Sequence, residues 1–335
     1  MPNKDFWKGK KVLITGNQGF IGSWLVGTLA RTKARLFGMD IKNSNLYRYF
    51  DFVVPCSLDI RNFNRVEARI TDHHHDIIFH LAAQPIVGKG EYDIHETFDT
   101  NVTGTLNLLK AIETHSKDTV FVHMSTDKVY APWSMPNTGF TENSPLGADS
   151  PYACSKVCAE DIVGMYRERG IRTVTVRAGN VFGGGDFGAN RLVPDTIRSI
   201  EHGYPLHMRN ADGSRPYQYV MNVVYALITL AEARYERELS KPAYNVGVDT
   251  SVDNYVLANK IADAYGAKLH WKPIASPYVE TTNLFLDCTA YNKEFGKLPF
   301  SLDYGVEQTV KVYQDMYKNP GGTLLDRSIF NGVWK

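Results

Sequence analysis

Residues 15–22 read Thr-Gly-Asn-Gln-Gly-Phe-Ile-Gly. They follow an apolar run, Val12-Leu13-Ile14, and open a helical pattern from Phe20 to Arg31. A glycine turn between strand and helix is the context in which backbone amides hold a phosphate. Gly16 permits the tight turn, Gly19 lets backbone approach a pyrophosphate, and Gly22 lets the helix pack closely. The anion then rests on unpaired N–H groups at the positive end of the helix dipole. The spacing is G-x-x-G-x-x-G, one residue looser than the dinucleotide fingerprint, so the turn alone does not name its ligand.

The residues downstream sharpen the reading. Arg35 to Met39 predicts a second strand ending at Asp40, which lies 18 residues after Gly22. A carboxylate there accepts hydrogen bonds from an adenine ribose and repels a 2′-phosphate, which favours NAD over NADP. Phe52 to Cys56 is a third apolar run, and Asp59 and Ile60 follow at a strand end where an adenine ring would be edged. Asn62 to Asp72 reads as a helix, and Asp76 to Ala83 as a central strand buried on both faces. Ile94 to His115 reads as one long helix with Val102, Leu106, Leu109 and Ile112 at core spacing. Thr119 to Met124 is a fifth strand running into Ser125-Thr126-Asp127-Lys128. Pro151 to Arg169 is a helix with proline at its favoured first position, and Arg172 to Arg177 is a sixth strand.

This alternation predicts an α/β fold, a doubly wound parallel Rossmann sheet whose ligands bind beyond the carboxyl ends of the strands. After Gly179 the pattern loosens. Helices are expected over Val193–His202, Asn222–Ala233, Asp253–Tyr265 and Gly305–Tyr317, with strands at Pro205–Met208 and Ala243–Val248. The expected division is a dinucleotide domain over 1–180, with a return of the chain near 217–247, and a smaller C-terminal substrate lobe over 181–335. The tail after Asn319 reads as a surface extension.

Composition excludes several partners. The chain has 335 residues, 43% of them hydrophobic and 22% charged, and a net charge of +1. No block of like charge suits nucleic acid or an anionic membrane. No apolar run reaches membrane-spanning or signal-peptide length, so a cytoplasmic location is expected. Cys56, Cys154, Cys158 and Cys288 lack metal-ligand spacing and read as reduced thiols. His73-His74-His75 reads as a solvated loop run, and no metal is expected.

Tyr152 and Lys156 stand at i and i+4 on one helix face. A lysine ammonium beside a phenol stabilises phenolate and would lower the tyrosine pKa. Thr126, ending the neighbouring strand, can hydrogen-bond the same alcohol. Together they suit removal of a hydroxyl proton while its carbon gives hydride to NAD.

With the glycine turn, this set resembles the extended short-chain dehydrogenase/reductase superfamily. The matching residues are Gly16, Gly19 and Gly22; Asp40; Asp59-Ile60; His80-Leu81-Ala82-Ala83; Asn101 to Thr105; Tyr152 and Lys156; and Asn180. Within it the chain looks most like the nucleotide-sugar 4,6-dehydratases, nearest the branch acting on CDP-glucose. That likeness is carried by Leu81 to Pro85, Ser125 to Tyr130, Arg177 to Asp186, Arg191 to Asp195, Met208 to Asn210 and Arg215 to Val220.

The resemblance implies a hydro-lyase with bound NAD that forms a 4-keto-6-deoxy sugar nucleotide, acting as a homodimer. It implies cofactor contacts from Gly16, Gln18, Gly19, Phe20, Ile21, Gly22, Asp40, Asp59, Ile60, Leu81, Ala82, Ala83, Gln84, Asn101, Tyr152 and Lys156. Thr126, Asp127, Lys128, Tyr152 and Lys156 would be catalytic, with Asp127 the acid that protonates the departing 6-hydroxyl. Lys128 stands where dTDP-glucose dehydratases carry Glu, as base or enolate stabiliser. Gln84, Asn180, Arg191, Arg209, Asn210 and Arg215 would hold the nucleoside-diphosphate sugar, guanidinium forks matching phosphate. The chain departs from the pattern at Gly88-Lys89, Phe187, Tyr217 and Tyr219, all read as the substrate region. The competing readings are a nucleotide-sugar 4-epimerase, against which Asp127 and Lys128 speak, and a non-catalytic dinucleotide sensor, against which Thr126, Tyr152 and Lys156 speak.

Overall fold

A computed structural model describes residues 2–41, 53–136, 138–248, 251–275, 283–319, 330 and 332–334. Seven strands build the main sheet: β1 (Lys11–Thr15), β2 (Arg35–Met39), β3 (Val53–Val54), β4 (Ile77–His80), β5 (Val120–Thr126), β6 (Arg172–Ala178) and β7 (Ala243–Val246). They are all parallel, in the order β7-β6-β5-β4-β1-β2-β3. From β1 the chain winds outward in one direction and then, at β4, in the other. The loops after β1 and β4 therefore diverge and leave a crevice at the carboxyl edge.

The sheet is covered on both faces, which is why β4 (Ile-Ile-Phe-His) is buried at every residue. Helices α2 (Phe63–His73), α5 (Gly104–His115) and α6 (Pro151–Glu168) lie on one face, over Leu13, Ile78 and Phe121. Helices α1 (Phe20–Leu29) and α8 (Val220–Glu236) lie on the other, over Val12, Ile14, Phe79 and Val122. The second half of the chain thus returns to the sheet through α8 and β7. It also supplies α7 (Leu192–His202), α9 (Asn254–Tyr265), α10 (Thr289–Phe295), α11 (Leu302–Lys318) and several two-stranded ribbons. One ribbon strand, Trp271–Ile274, and helix α10 were not expected from the pattern.

The expected helix over 94–115 is broken. In its place stand α4 (Ile94–Phe98), a π turn at Asp99–Thr103, and then α5, with a further short helix, α3 (Val87–Tyr92), before them. Leu106 is 36% exposed, while Leu109 and Ile112 are buried as expected and Leu108 joins them in the core. The expected strand at Asp76–Ala83 stops at His80, and the one at Phe52–Cys56 reduces to Val53–Val54, Phe52 lying outside the described residues. Residues 320–329 of the tail also lie outside them. Past these the tail is docked: Phe330 is fully buried, and a Cβ at Gly27 would stand 2.5 Å from its ring. Burying that ring contributes ~2 kcal/mol.

A buried ion pair braces the carboxyl edge. Arg177 on β6 meets both oxygens of Glu160 on α6, the closest contact at 2.6 Å, with both side chains nearly inaccessible. Ser125 donates to the same carboxylate, and Arg177 also donates to the hydroxyl of Tyr130 at 3.0 Å. Tyr130 passes its own proton to Asn245 on β7 at 2.6 Å. One network therefore joins β5, α6, β6 and β7 around the segment 125–130. Arg177→Met, which strands the Glu160 carboxylate, should cost about 3–5 kcal/mol in urea unfolding, and adding Glu160→Gln should restore part of it. Equal stability of Arg177→Met and wild type would remove the pair from this role.

The histidine run is not solvated as expected. His73 ends α2, His74 is a left-handed cap with φ 44°, and only His74 is exposed. His75 is 2% exposed, lies 5.0 Å from the Phe37 ring, and has no partner for either ring nitrogen. Burial first, then Arg69 and His73, push its pKa down to about 3. In the unfolded chain the ring protonates near the usual 6.5, so stability falls as pH drops from there toward 3. His75→Phe keeps the aromatic contact and removes the proton site. Relative to wild type it should gain about 2 kcal/mol between neutral pH and about pH 5. Urea unfolding at both pH values checks this, and an unchanged difference would refute it.

Candidate active site

The glycine turn is built by exclusion. Gly16 has φ +67°, donates to Met39 at 2.8 Å, and would place a Cβ 2.8 Å from the Ala82 nitrogen. A Cβ on Gly22 would fall 2.1 Å from the Gly16 carbonyl oxygen, so its role is to let α1 close on the turn itself rather than on a strand. Gly19 caps α1 with no side chain, which leaves first-turn N–H groups of Phe20, Ile21 and Gly22 for a ligand. Asp40 ends β2 beside the turn, its carboxylate accepting from the Gln18 nitrogen at 2.9 Å. From the other side, Leu81 and Ala82 donate their backbone N–H groups to the Thr15 hydroxyl at 3.2 and 3.1 Å. Glycines where side chains would collide, an open helix terminus and a carboxylate at the end of β2 fit a dinucleotide with a free ribose diol.

Three expected cofactor residues also make contacts within the chain. Ile60 is buried in the core, its side chain filling the space a Cβ on Gly104 would need. Asp59 is paired with Arg61 at 2.6 Å, which lowers its pKa. Gln84 is 5% exposed, and its amide is engaged by Ile86 and Thr97. Its backbone N–H is held by Asn101 at 2.8 Å, and Asn101 also donates to Ser155 on α6 at 2.9 Å. Asn101 therefore ties the loop after β4 to the turn of α6 that carries Tyr152.

That turn is fixed by Ser150, which accepts from the Ala153 nitrogen at 3.3 Å, and by Pro151 at the first helical position. Tyr152 lies beside Thr126, which acts to lower its pKa, and the Thr126 hydroxyl donates to Asp127 at 3.0 Å. Asp127 is 3% exposed and its other oxygen has no partner. Burial raises its pKa against the pull of Lys128, Thr126 and Arg215. Asp127 and Lys128 line one recess with Tyr130, Pro132, Phe140, Asp149 and Leu284.

The expected lowering of the Tyr152 pKa is reversed. Burial and the neighbouring Asp127 push it up to about 12, and Thr126 and Arg191 offset this only in part. Lys156 lies in the same helix but turns its ammonium to the Met124 carbonyl at 2.8 Å and to His123 at 3.3 Å. Burial lowers its pKa to about 8 against the charge of Glu160.

Of the expected substrate residues, Arg191 and Arg215 are close enough for their charges to act on Tyr152 and Asp127, respectively. Arg191 is also held by Asp186 at 3.0 Å. Asn180 follows β6, half-buried, its carbonyl accepting from Gln218 at 2.9 Å. Arg209 and Asn210 end the ribbon strand Leu206–Arg209, contacting Asn190 and Asn254. Tyr217 and Tyr219 are 5% and 1% exposed core residues rather than pocket walls, whereas Phe187 is 47% exposed. His123, Ser155, Glu160 and Arg177 were missed because their partners lie on other strands and helices. Among the described residues no three His, Cys, Asp or Glu side chains gather to hold a metal.

Known proteins share this arrangement. A family model described as "NAD dependent epimerase/dehydratase family" matches residues 12–247. A CDP-glucose 4,6-dehydratase of Salmonella typhimurium is 32% identical over 322 residues, 89% of each chain. A dTDP-glucose 4,6-dehydratase of Haemophilus influenzae is 27% identical, covering 90% of this chain and 97% of its own. Among solved structures, a UDP-glucose 4-epimerase of Thermus thermophilus in complex with NAD superposes with a TM-score of 0.80 at 25% identity, over 91% of this chain and 99% of that one. By these matches the chain is a member of the NAD dependent epimerase/dehydratase family, an enzyme with NAD as its cofactor.

Proposed function

We propose that the chain dehydrates a nucleoside-diphosphate hexose, with CDP-glucose the best match, to the 4-keto-6-deoxy sugar nucleotide. The observation that carries this is Asp127, a buried carboxyl whose pKa burial raises, bonded to Thr126 beside Tyr152. Oxidation at carbon 4 alone needs no such acid. The likeness to CDP-glucose 4,6-dehydratase supports the same reading. A 4-epimerase is the alternative, favoured by the fold match to the Thermus thermophilus enzyme.

NAD, held by the glycine turn, Asp40 and the loop 81–83, supplies when bound the acceptor and later the donor of hydride. The protein's own groups move the protons. Tyr152 takes the proton of the 4-hydroxyl while Thr126 holds the phenol in line. With carbon 4 a ketone, the proton on carbon 5 becomes acidic and passes to a base of the recess, where Asp149 is the exposed carboxylate. The ammonium of Lys128 stabilises the enolate. Asp127, whose carboxyl burial favours in its protonated form, gives its proton to the departing 6-hydroxyl and water leaves, after which the base returns its proton to carbon 5 as carbon 6 is reduced. Arg191 and Arg215, the cations nearest these groups, take the diphosphate or sugar, with Asn180, Arg209 and Asn210 beyond them. This assigns sugar binding to the chain after residue 180 apart from the return at 217–247.

A homodimer is part of the proposal. Ile94 on α4, Leu106 on α5 and Met165 on α6 are 49%, 36% and 45% exposed, and burying them against a second copy would remove that apolar surface from water. A cytoplasmic setting suits the four free cysteines, and among the described residues no helix is long and apolar enough to cross a membrane.

Sugars deuterated at carbon 4 test the reaction. Dehydration predicts loss of one water with the label on carbon 6, whereas unchanged mass with the label on carbon 4 would establish epimerisation. Asp127→Asn should still oxidise carbon 4 yet lose water release by about 100-fold or more. In the wild type, water release should fall on the alkaline side as Asp127 gives up its proton, later than an ordinary carboxyl would. Tyr152→Phe should bind NAD and lose oxidation; near-normal turnover would remove Tyr152 from its role.

A further inference from the structure

His123 takes no part in the chemistry above, yet it faces Lys156. The imidazole is fully buried on β5, in register between His80 on β4 and Thr175 on β6. Its ring lies nearly parallel to that of His80, with centroids 5.8 Å apart. His80 cannot turn, because the hydroxyls of Thr15 and Thr105 hold its two ring nitrogens, each at 2.9 Å. His123 Nε2 stands 3.3 Å from Lys156 Nζ, and the Met124 carbonyl stands 2.8 Å from the same nitrogen.

An ammonium donates and cannot accept, so Nε2 must carry a lone pair and the proton must sit on Nδ1. The titratable and charged groups facing this ring are Lys156 from α6, His80 from β4 and Arg177 from β6, with Glu160 acting on Lys156 in turn. Burial, Lys156 and Arg177 all oppose a second proton, and the ring's pKa is held well below the usual histidine value. While Lys156 is charged, His123 is thus an acceptor, its Nδ1 proton left without a partner. The ammonium of Lys156 has three N–H bonds, and β5 takes two of them. The direction of the third is then fixed.

We propose that His123 is the positioning residue for Lys156: with the Met124 carbonyl it draws the ammonium to β5, keeps it charged, and aims its remaining N–H toward the dinucleotide beside Tyr152. The proposal rests on Lys156 serving the chemistry at Tyr152, but its test does not. Without the imidazole the ammonium keeps one acceptor in a buried site. A hydrogen bond to a charged group is worth enough to move the lysine midpoint by about one pH unit, a tenfold change in the neutral fraction.

The measurement is a titration of Lys156 in the full chain by NMR of its Cε, assigned by difference from Lys156→Arg, in the absence of substrate. Wild type should titrate near pH 8. His123→Met, which keeps volume and loses the acceptor, should titrate about one pH unit lower. His123→Gln, which returns an acceptor at the reach of Nε2, should titrate near wild type. If the methionine variant does not fold, His123→Asn replaces it, since its amide stops short of Lys156. A midpoint unchanged in the acceptor-less variant, with only thermal stability lost, would make His123 a packing residue and overturn the proposal. Turnover on deuterated sugars fails or succeeds separately, so loss of the dehydratase reading would leave the lysine result standing.

Discussion

Gly16 is the position on which the site depends. The carbonyl edge of β1 and the loop after β4 approach until a single added carbon would stand 2.8 Å from the Ala82 nitrogen. That approach lets the Thr15 hydroxyl accept from Leu81 and Ala82, which locks the two loops where the winding of the sheet reverses. A side chain at Gly16 would also have to adopt φ near +67°, a region costly for L-residues. Packing and backbone conformation therefore demand the same residue. The helix, the open N–H groups and the facing carboxylate of Asp40 are positioned as consequences of it.

The second organising feature is where buried ionisable groups gather. Asp127, Lys156, Glu160 and Arg177 are each under 10% exposed and lie at or just behind the carboxyl edge of β5 and β6. A buried ion pair such as Arg177–Glu160 is poor evidence of net stabilisation, since desolvation offsets most of its attraction. Its effect is geometric. It takes the Ser125 hydroxyl on one side and the Tyr130 hydroxyl on the other, and so brackets Thr126, Asp127 and Lys128. The catalytic stretch is short and lies at a strand end where backbone pairing stops, so rigid side-chain bonds must replace the ladder there.

Much of this was legible in the sequence and some could not be. The strands β1, β2, β5 and β6 are apolar runs that end at glycine or polar clusters, and their bounds follow from that contrast. The carboxyl-edge rule then placed Asp40, Thr126 and Tyr152 together without coordinates. The π turn at 99–103 was hidden because its cause is tertiary: Asn101 bonds Gln84 and Ser155, and Gly104 settles on Ile60. Tyr217 and Tyr219 were misplaced for a similar reason, as aromatic residues in a polar stretch read as pocket until the ribbon Gln218–Tyr219 carries them into the core. The row Thr15, His80, His123 was invisible because its members are neighbours only through strand register.

The pKa values of Tyr152 and Lys156 bear on when the site is active. Sequence spacing suggested that the lysine would lower the tyrosine pKa at all times. The structure separates them: the ammonium is held on β5, and burial pushes the phenol up to about 12. The phenol is then fully protonated at neutral pH, and a protonated phenol is no base. The charge needed to acidify it must arrive with the ligands. Arg191 is already close enough to pull in that direction and is also bonded to Asp186, a contact that a bound diphosphate would compete for. A tyrosine that becomes a base only when cofactor and substrate are both seated cannot draw a proton from water or from a partly bound alcohol. Burial raises Asp127 as well, so its carboxyl holds a proton to higher pH than an ordinary one would. One desolvated corner at the end of β5 thus shifts a phenol and a carboxyl in the same direction, side by side.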